Sequence, residues 1–113
     1  MTTPGFHVRL DRIGEAWTVT CGGELDAAAA PHLDEAIELC LASKPVSVFV
    51  DCRDVTFVDS GGLWGLLRAA RSAHEADIPY NLVVSDQVRD VLGRAGILER
   101  LLLGSTPPAV APA

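Results

Sequence analysis

The chain has 113 residues, a formal net charge of −6, 49% hydrophobic and 21% charged residues. That length and mix suit one globular domain, with enough apolar surface to bury that neither disulfides nor a structural metal is needed. The acidic balance argues against a nucleic-acid or anionic-membrane surface and leaves proteins and small molecules as partners.

Met1–Gly5 reads as a loose start. "HVRL" (His7–Leu10) and "AWTVTCGGEL" (Ala16–Leu25) alternate polar and apolar residues, and Asp11–Glu15 between them, with Gly14, reads as a hairpin turn. The period then changes. In "AAAAPHLDEAIELCLAS", Leu33, Ala36, Ile37, Cys40 and Leu41 share one helical face, and Pro31 fits only in the first turn. "VSVFVDC", from Val46, is apolar and β-branched, which suits a central strand covered on both faces or nearly so. "FVDSGGLWGLLRAARSA", from Phe57, starts like the end of a strand and continues as a helix with Leu63, Leu66, Leu67 and Ala70 on one side. "YNLVVS", from Tyr80, is a further strand after Pro79. Ser85 is placed to cap a helix carrying Val88, Val91, Leu92 and Ala95, with Gly96 as its stop. "ILERLLL" fits a helix or a last strand. Residues 1–103 are read as the single domain, and the Pro/Ala-rich tail, 104–113, is expected to be disordered.

The order β-β-α-β-α-β-α predicts an α/β fold with a mixed, mostly parallel sheet of four to five strands, an N-terminal β-hairpin and packed helices. The cysteines, Cys21, Cys40 and Cys52, are odd in number and form no C-x-x-C pair, so they read as reduced thiols packed like small apolar groups. With no signal segment and no apolar run near about 18 residues, the expected location is cytoplasmic, without a membrane partner.

Catalytic chemistry has no foothold. His7, His32 and His74 sit in unrelated contexts, and neither "GG" at Gly22-Gly23 nor "SGG" at Ser60–Gly62 makes a phosphate loop. No catalytic, cofactor or metal residue is assigned. The Asp59–Gly62 junction stands apart, because a helix starts there and its free N–H groups favour negative charge. Either Asp59 or Ser60 can be the cap. The glycines either let the turn approach the sheet, or they admit something else. At 3.6 residues per turn, Ser60, Trp64, Arg68 and Arg71 form a stripe beside the core face. Trp64 there is either a boundary residue lying along the protein's own surface or an interface anchor.

"GELD" (Gly23–Asp26), Pro31-x-Leu33, "VFVDCRDVTFVDSGGL" (Val48–Leu63) and "VRDVLGRAGI" (Val88–Ile97) occur in an order and spacing that resembles the STAS domain, the family of the bacterial anti-sigma factor antagonists. The similarity runs from about Phe6 to Leu103. It implies a partner: an anti-sigma factor resembling an ATP-binding serine kinase, which unphosphorylated antagonist binds so that a sigma factor is freed. It also implies a docking face around Asp59, Ser60, Gly61 and Gly62; the helical projection adds Trp64, which stands where the family commonly has a small residue, and Arg68. In the family the junction reads Asp-Ser-Ser-Gly-Leu or Asp-Ser-Thr-Gly-Leu, and the second hydroxyl takes the phosphate. That position is Gly61 here. Ser60 is the candidate phosphorylation site that remains, but a shift of one residue turns a helical side chain by about 100°. Two alternatives stand beside the antagonist: an accessory STAS subunit of a transport or stress-signalling complex, and a nucleotide-binding STAS module.

Overall fold

The computed structural model describes residues 2–3, 5–94 and 110–111. The elements follow as β1 (Thr2–Thr3), β2 (Phe6–Ile13), β3 (Ala16–Leu25), α1 (Ala30–Ala42), β4 (Ser47–Val58), α2 (Ser60–Glu75), β5 (Tyr80–Val84), α3 (Asp86–Arg94) and β6 (Val110–Ala111). The strands lie side by side in chain order. β1, β2 and β3 pair antiparallel, and β3 through β6 pair parallel. This is the mixed, mostly parallel sheet that the sequence predicts, with four principal strands and a two-residue strand at each edge.

Local chemistry accounts for most of the boundaries. The hairpin turns on Gly14-Glu15, and Gly14 stands at φ 63°, where a type II′ turn places glycine. The β3–β4 and β4–β5 parallel pairs need crossovers, and α1 and α2 supply them. Pro31 falls in the first turn of α1, where its missing N–H costs no helical bond. Ser85 caps α3 as expected, its Oγ accepting from Val88 N–H at 3.3 Å and donating to Val55 O at 3.1 Å. Gly96 and "ILERLLL" lie outside the described residues. Of the segment read as a disordered tail, Val110–Ala111 pair with Leu82–Val83, and the rest also lies outside them.

The core lies between one face of the sheet and the helices. Val19, Cys21, Val48, Val50, Cys52, Tyr80, Leu82 and Val84 are buried at alternate strand positions, with Leu33, Ile37, Leu66, Leu67, Val88 and Leu92 from the helices in the same cluster. The second face of β4 differs from expectation. Ser47, Phe49 and Asp51 are only half-buried, so the strand has one buried face and one partly wet one.

All three cysteines are free and buried. Burial pushes the Cys40 thiol from its ordinary 9.0 up to about 11. The Cys52 thiol is also raised, first by its neighbour Cys21 and then by burial. Protonated, enclosed thiols are poor nucleophiles, so the native protein is expected to resist a thiol reagent at pH 8 and to react fully in denaturant. The sign of the linkage follows from the raised value. The unfolded chain releases the Cys40 proton near pH 9.0 while the folded one holds it, so stability is complete below pH 9.0 and falls as pH rises towards about 11. Thermal melts between pH 8 and pH 11 check this.

Candidate functional site

The junction after β4 is built by its first residue. Asp59 is extended, with φ −107° and ψ −174°, and its Oδ1 accepts from Gly62 N–H at 2.9 Å. Its carbonyl accepts from Leu63 N–H at 2.9 Å, and its own N–H donates to Leu25 O at 3.4 Å. Asp59 is therefore the cap, and Ser60 is the first helical residue, exposed to solvent. The carboxylate satisfies one of the helix's free donors and faces the positive end of its dipole.

The glycines answer to packing within the chain. Gly62 is buried, and a Cβ there would run into the Leu25 carbonyl oxygen and stand 2.8 Å from Val58 Cγ2. A Cβ at Gly61 would stand 2.7 Å from both Cα and Cβ of Ala27. One turn later, a Cβ at Gly65 would meet Ala30 Cβ at 3.3 Å. The start of α2 is thus seated on the end of β3 and on the loop that begins α1. That loop is held by Asp26, whose Oδ1 accepts from Ala29 N–H at 2.9 Å and whose carbonyl accepts from Ala30 N–H at 2.9 Å. The "GELD" aspartate fixes one helix start, and the two glycines press the other against it.

Ser60, Trp64, Arg68 and Arg71 are all exposed, as the helical projection requires. Trp64 leaves 51% of its surface in solvent. Arg68 has a partner that the sequence did not suggest: its guanidinium donates to Asp34 of α1 at 3.1 and 3.3 Å. It therefore ties α2 to α1 as well as lining the stripe. Gly62 is buried and packs on Leu25 and Val58, which seats the helix. Phe57 was missed. It is 51% exposed two residues before the cap, because the alternation of β4 breaks at its end: Val55 and Val58 are buried while Thr56 and Phe57 both face out. An aromatic beside the junction was the available signal, and the broken period hid its direction.

Among the described residues no group of three or more His, Cys, Asp or Glu side chains is placed to hold a metal ion. No described helix is long and apolar enough to cross a membrane.

Several solved structures share this fold. An anti-sigma factor antagonist from Mycobacterium paratuberculosis superposes with a TM-score of 0.73 at 22% identity, over 88% of this chain and 86% of that one. The phosphorylated form of the Bacillus cell fate determinant SpoIIAA gives 0.68 at 19% identity, over 95% and 91%. A sulfate transporter family protein from Wolinella succinogenes gives 0.72 at 20% identity, over 88% and 79%. No curated protein sequence matches the chain. The STAS domain model matches residues 7–110, which takes in the hairpin, the GELD loop and the α2 junction, and the chain belongs to the STAS domain family.

Proposed function

We propose that the chain is a non-enzymatic anti-sigma factor antagonist that docks through the exposed start of α2 on an anti-sigma factor resembling an ATP-binding serine kinase. The observation that carries this reading is Trp64, a tryptophan 51% exposed one turn after an Asp-capped helix start, with Ser60 and Arg68 on the same stripe. Trp and Arg supply much of the energy at protein interfaces. Gly61 brings no hydroxyl to the family's phosphate position, and the Ala27 loop fills the space beside it, so binding is constitutive and is set by the amount of protein or by another input.

Capture of the partner from the native cytosol, followed by calorimetry, tests the reading. Trp64→Ala is expected to weaken binding by at least about tenfold with the fold intact. Asp59→Asn keeps a good cap, since Asn caps as well as Asp does, but removes the charge. Its melting temperature should hold while binding falls. Normal binding by both variants would overturn the proposal. The pure protein is expected to hydrolyse neither ATP nor GTP.

The second reading, an accessory subunit of a transport or stress-signalling assembly, draws support from Gly61 and from the likeness to the sulfate transporter family protein. Recovery of a transport component in place of a kinase-like protein would favour it.

A further inference from the structure

The arginines of this acidic chain are nearly all held by groups of their own. Arg9 pairs with Asp11 at 2.8 Å, Arg53 with Asp51 at 2.7 Å, Arg94 with Asp90 at 2.8 Å and Arg68 with Asp34 at 3.1 Å. Arg12 donates to the Gly14 carbonyl and lies over the Trp17 ring, and Arg89 is also engaged. Among the described residues, Arg71 is the arginine left with neither a hydrogen bond nor an ion pair, and it is exposed. Its place on α2 accounts for this. The side of α2 that faces α1 is marked by Arg68, Ala69 and Ser72, which line a small cavity with Asp34 and Glu38. Arg71 lies outside that lining, so the carboxylates of α1 do not meet it. Glu75, exposed one turn further on, does not pair with it either.

Arg71 follows Trp64 by two turns of α2, which puts it on the same outer stripe, about 10 Å along the axis. A half-exposed indole and an unmatched guanidinium thus stand in line on one helix, and Trp and Arg are the residues enriched where interfaces hold most of their energy. We propose that Arg71 selects the partner at this face, by taking a carboxylate that stands beside the pocket filled by Trp64. The carboxylate belongs on the Trp64 side of Arg71, because Glu75 holds the other side. Arg68 does not serve in this way. Asp34 already matches its charge, and an acid that approaches it meets Asp34 as well. A second copy is a poor occupant, since two chains of net charge −6 repel. The inference rests on the reading of α2 as the docking helix and adds the chemistry of what that helix meets.

The test needs no native partner. The full chain, labelled with ¹⁵N, is titrated with the end-blocked pentapeptide EELEE, and with KKLKK and EESEE for comparison. The net charge of the chain favours KKLKK at long range, so a preference for EELEE at α2 reports a local cation. EELEE is expected to shift the Trp64 indole N–H and the Arg71 side-chain N–H, with both comparison peptides at least about tenfold weaker there. Arg71→Gln, at an exposed position, should remove the preference. The Asp34→Asn/Arg68→Gln pair, which takes away both charges of that bridge, should keep it. Equal or stronger shifts from KKLKK at the two side chains, no shift from EELEE, or a preference that survives Arg71→Gln overturns the proposal. The same shifts on concentrating the chain alone would make a second copy the occupant and overturn it as well. Partner capture keeps the two readings apart. Normal capture by Arg71→Gln but not by Trp64→Ala sinks selection by Arg71 and leaves docking through α2 standing.

Discussion

Gly62→Ala is expected to destabilise the domain by about 3 kcal/mol, lowering the melting temperature by about 12 °C or more. In an open helix the same change stabilises by up to ~1 kcal/mol, because alanine has the higher propensity. Here the new methyl points into the Leu25 carbonyl oxygen. Leu25 is fully buried and paired with Val58, so the oxygen belongs to fixed backbone and has no rotamer to escape into. Relief requires the first turn of α2 to lift off β3. Lifting it strains the bond from Asp59 N–H to that oxygen and the cap from Asp59 Oδ1 to Gly62 N–H. A lost cap costs about 1 kcal/mol in addition to the overpacking. Gly93→Ala is the control. It lies in α3 with nothing within 4 Å of the added Cβ, and it should stabilise slightly. Circular dichroism melts of the two variants decide the matter. A higher melting temperature for Gly62→Ala would mean that α2 does not rest on β3 in this way.

The same contrast shows where sequence reasoning reached and where it stopped. Period alone placed α2, since Leu63, Leu66, Leu67 and Ala70 recur on one side and are all buried. It also placed Trp64 outside that face. The hairpin was legible because Gly14 sits between two alternating runs. What the period could not give was the neighbour of each glycine. Gly61 and Gly62 look alike in sequence, yet one abuts a surface loop at Ala27 and the other a buried carbonyl at Leu25. Those neighbours are more than thirty positions apart in the chain, brought together across the β3–β4 parallel pair. The Arg68–Asp34 pair is 34 residues apart and was hidden for the same reason. Phe57 failed differently. Register shifts between Thr20 and Gly22 and between Gly23 and Glu24 disturb the β3–β4 pairing, and the strict alternation of β4 does not survive to its end.

Gly61→Ser is expected to create a phosphate-controlled switch at a measurable cost in stability. A serine Cβ would stand 2.7 Å from Ala27 Cα and Cβ, so the loop from Asp26 to Ala29 must move. Ala27 and Ala28 are exposed, which makes the movement cheaper than at Leu25, about 1–2 kcal/mol. Ala27→Gly takes away the methyl and leaves the backbone carbon in place, so the double variant should recover part of that loss. A phosphoserine adds about −1.5 to −2 charges. At a helix N-terminus the dipole favours that charge, and the domain should stay folded. The effect falls on the partner, which must then pack against a bulky dianion beside Ser60 and Trp64. With the kinase-like partner and ATP, Gly61→Ser and the Ala27→Gly/Gly61→Ser pair should each take up phosphate and release the partner, while the wild type stays bound. Ser60→Ala in the wild-type background should change nothing in this assay, because a hydroxyl one residue earlier points about 100° away from the acceptor position. Stoichiometric phosphate on wild-type Ser60, with release of the partner, would place the switch on Ser60 and remove Gly61 as the reason for constitutive binding.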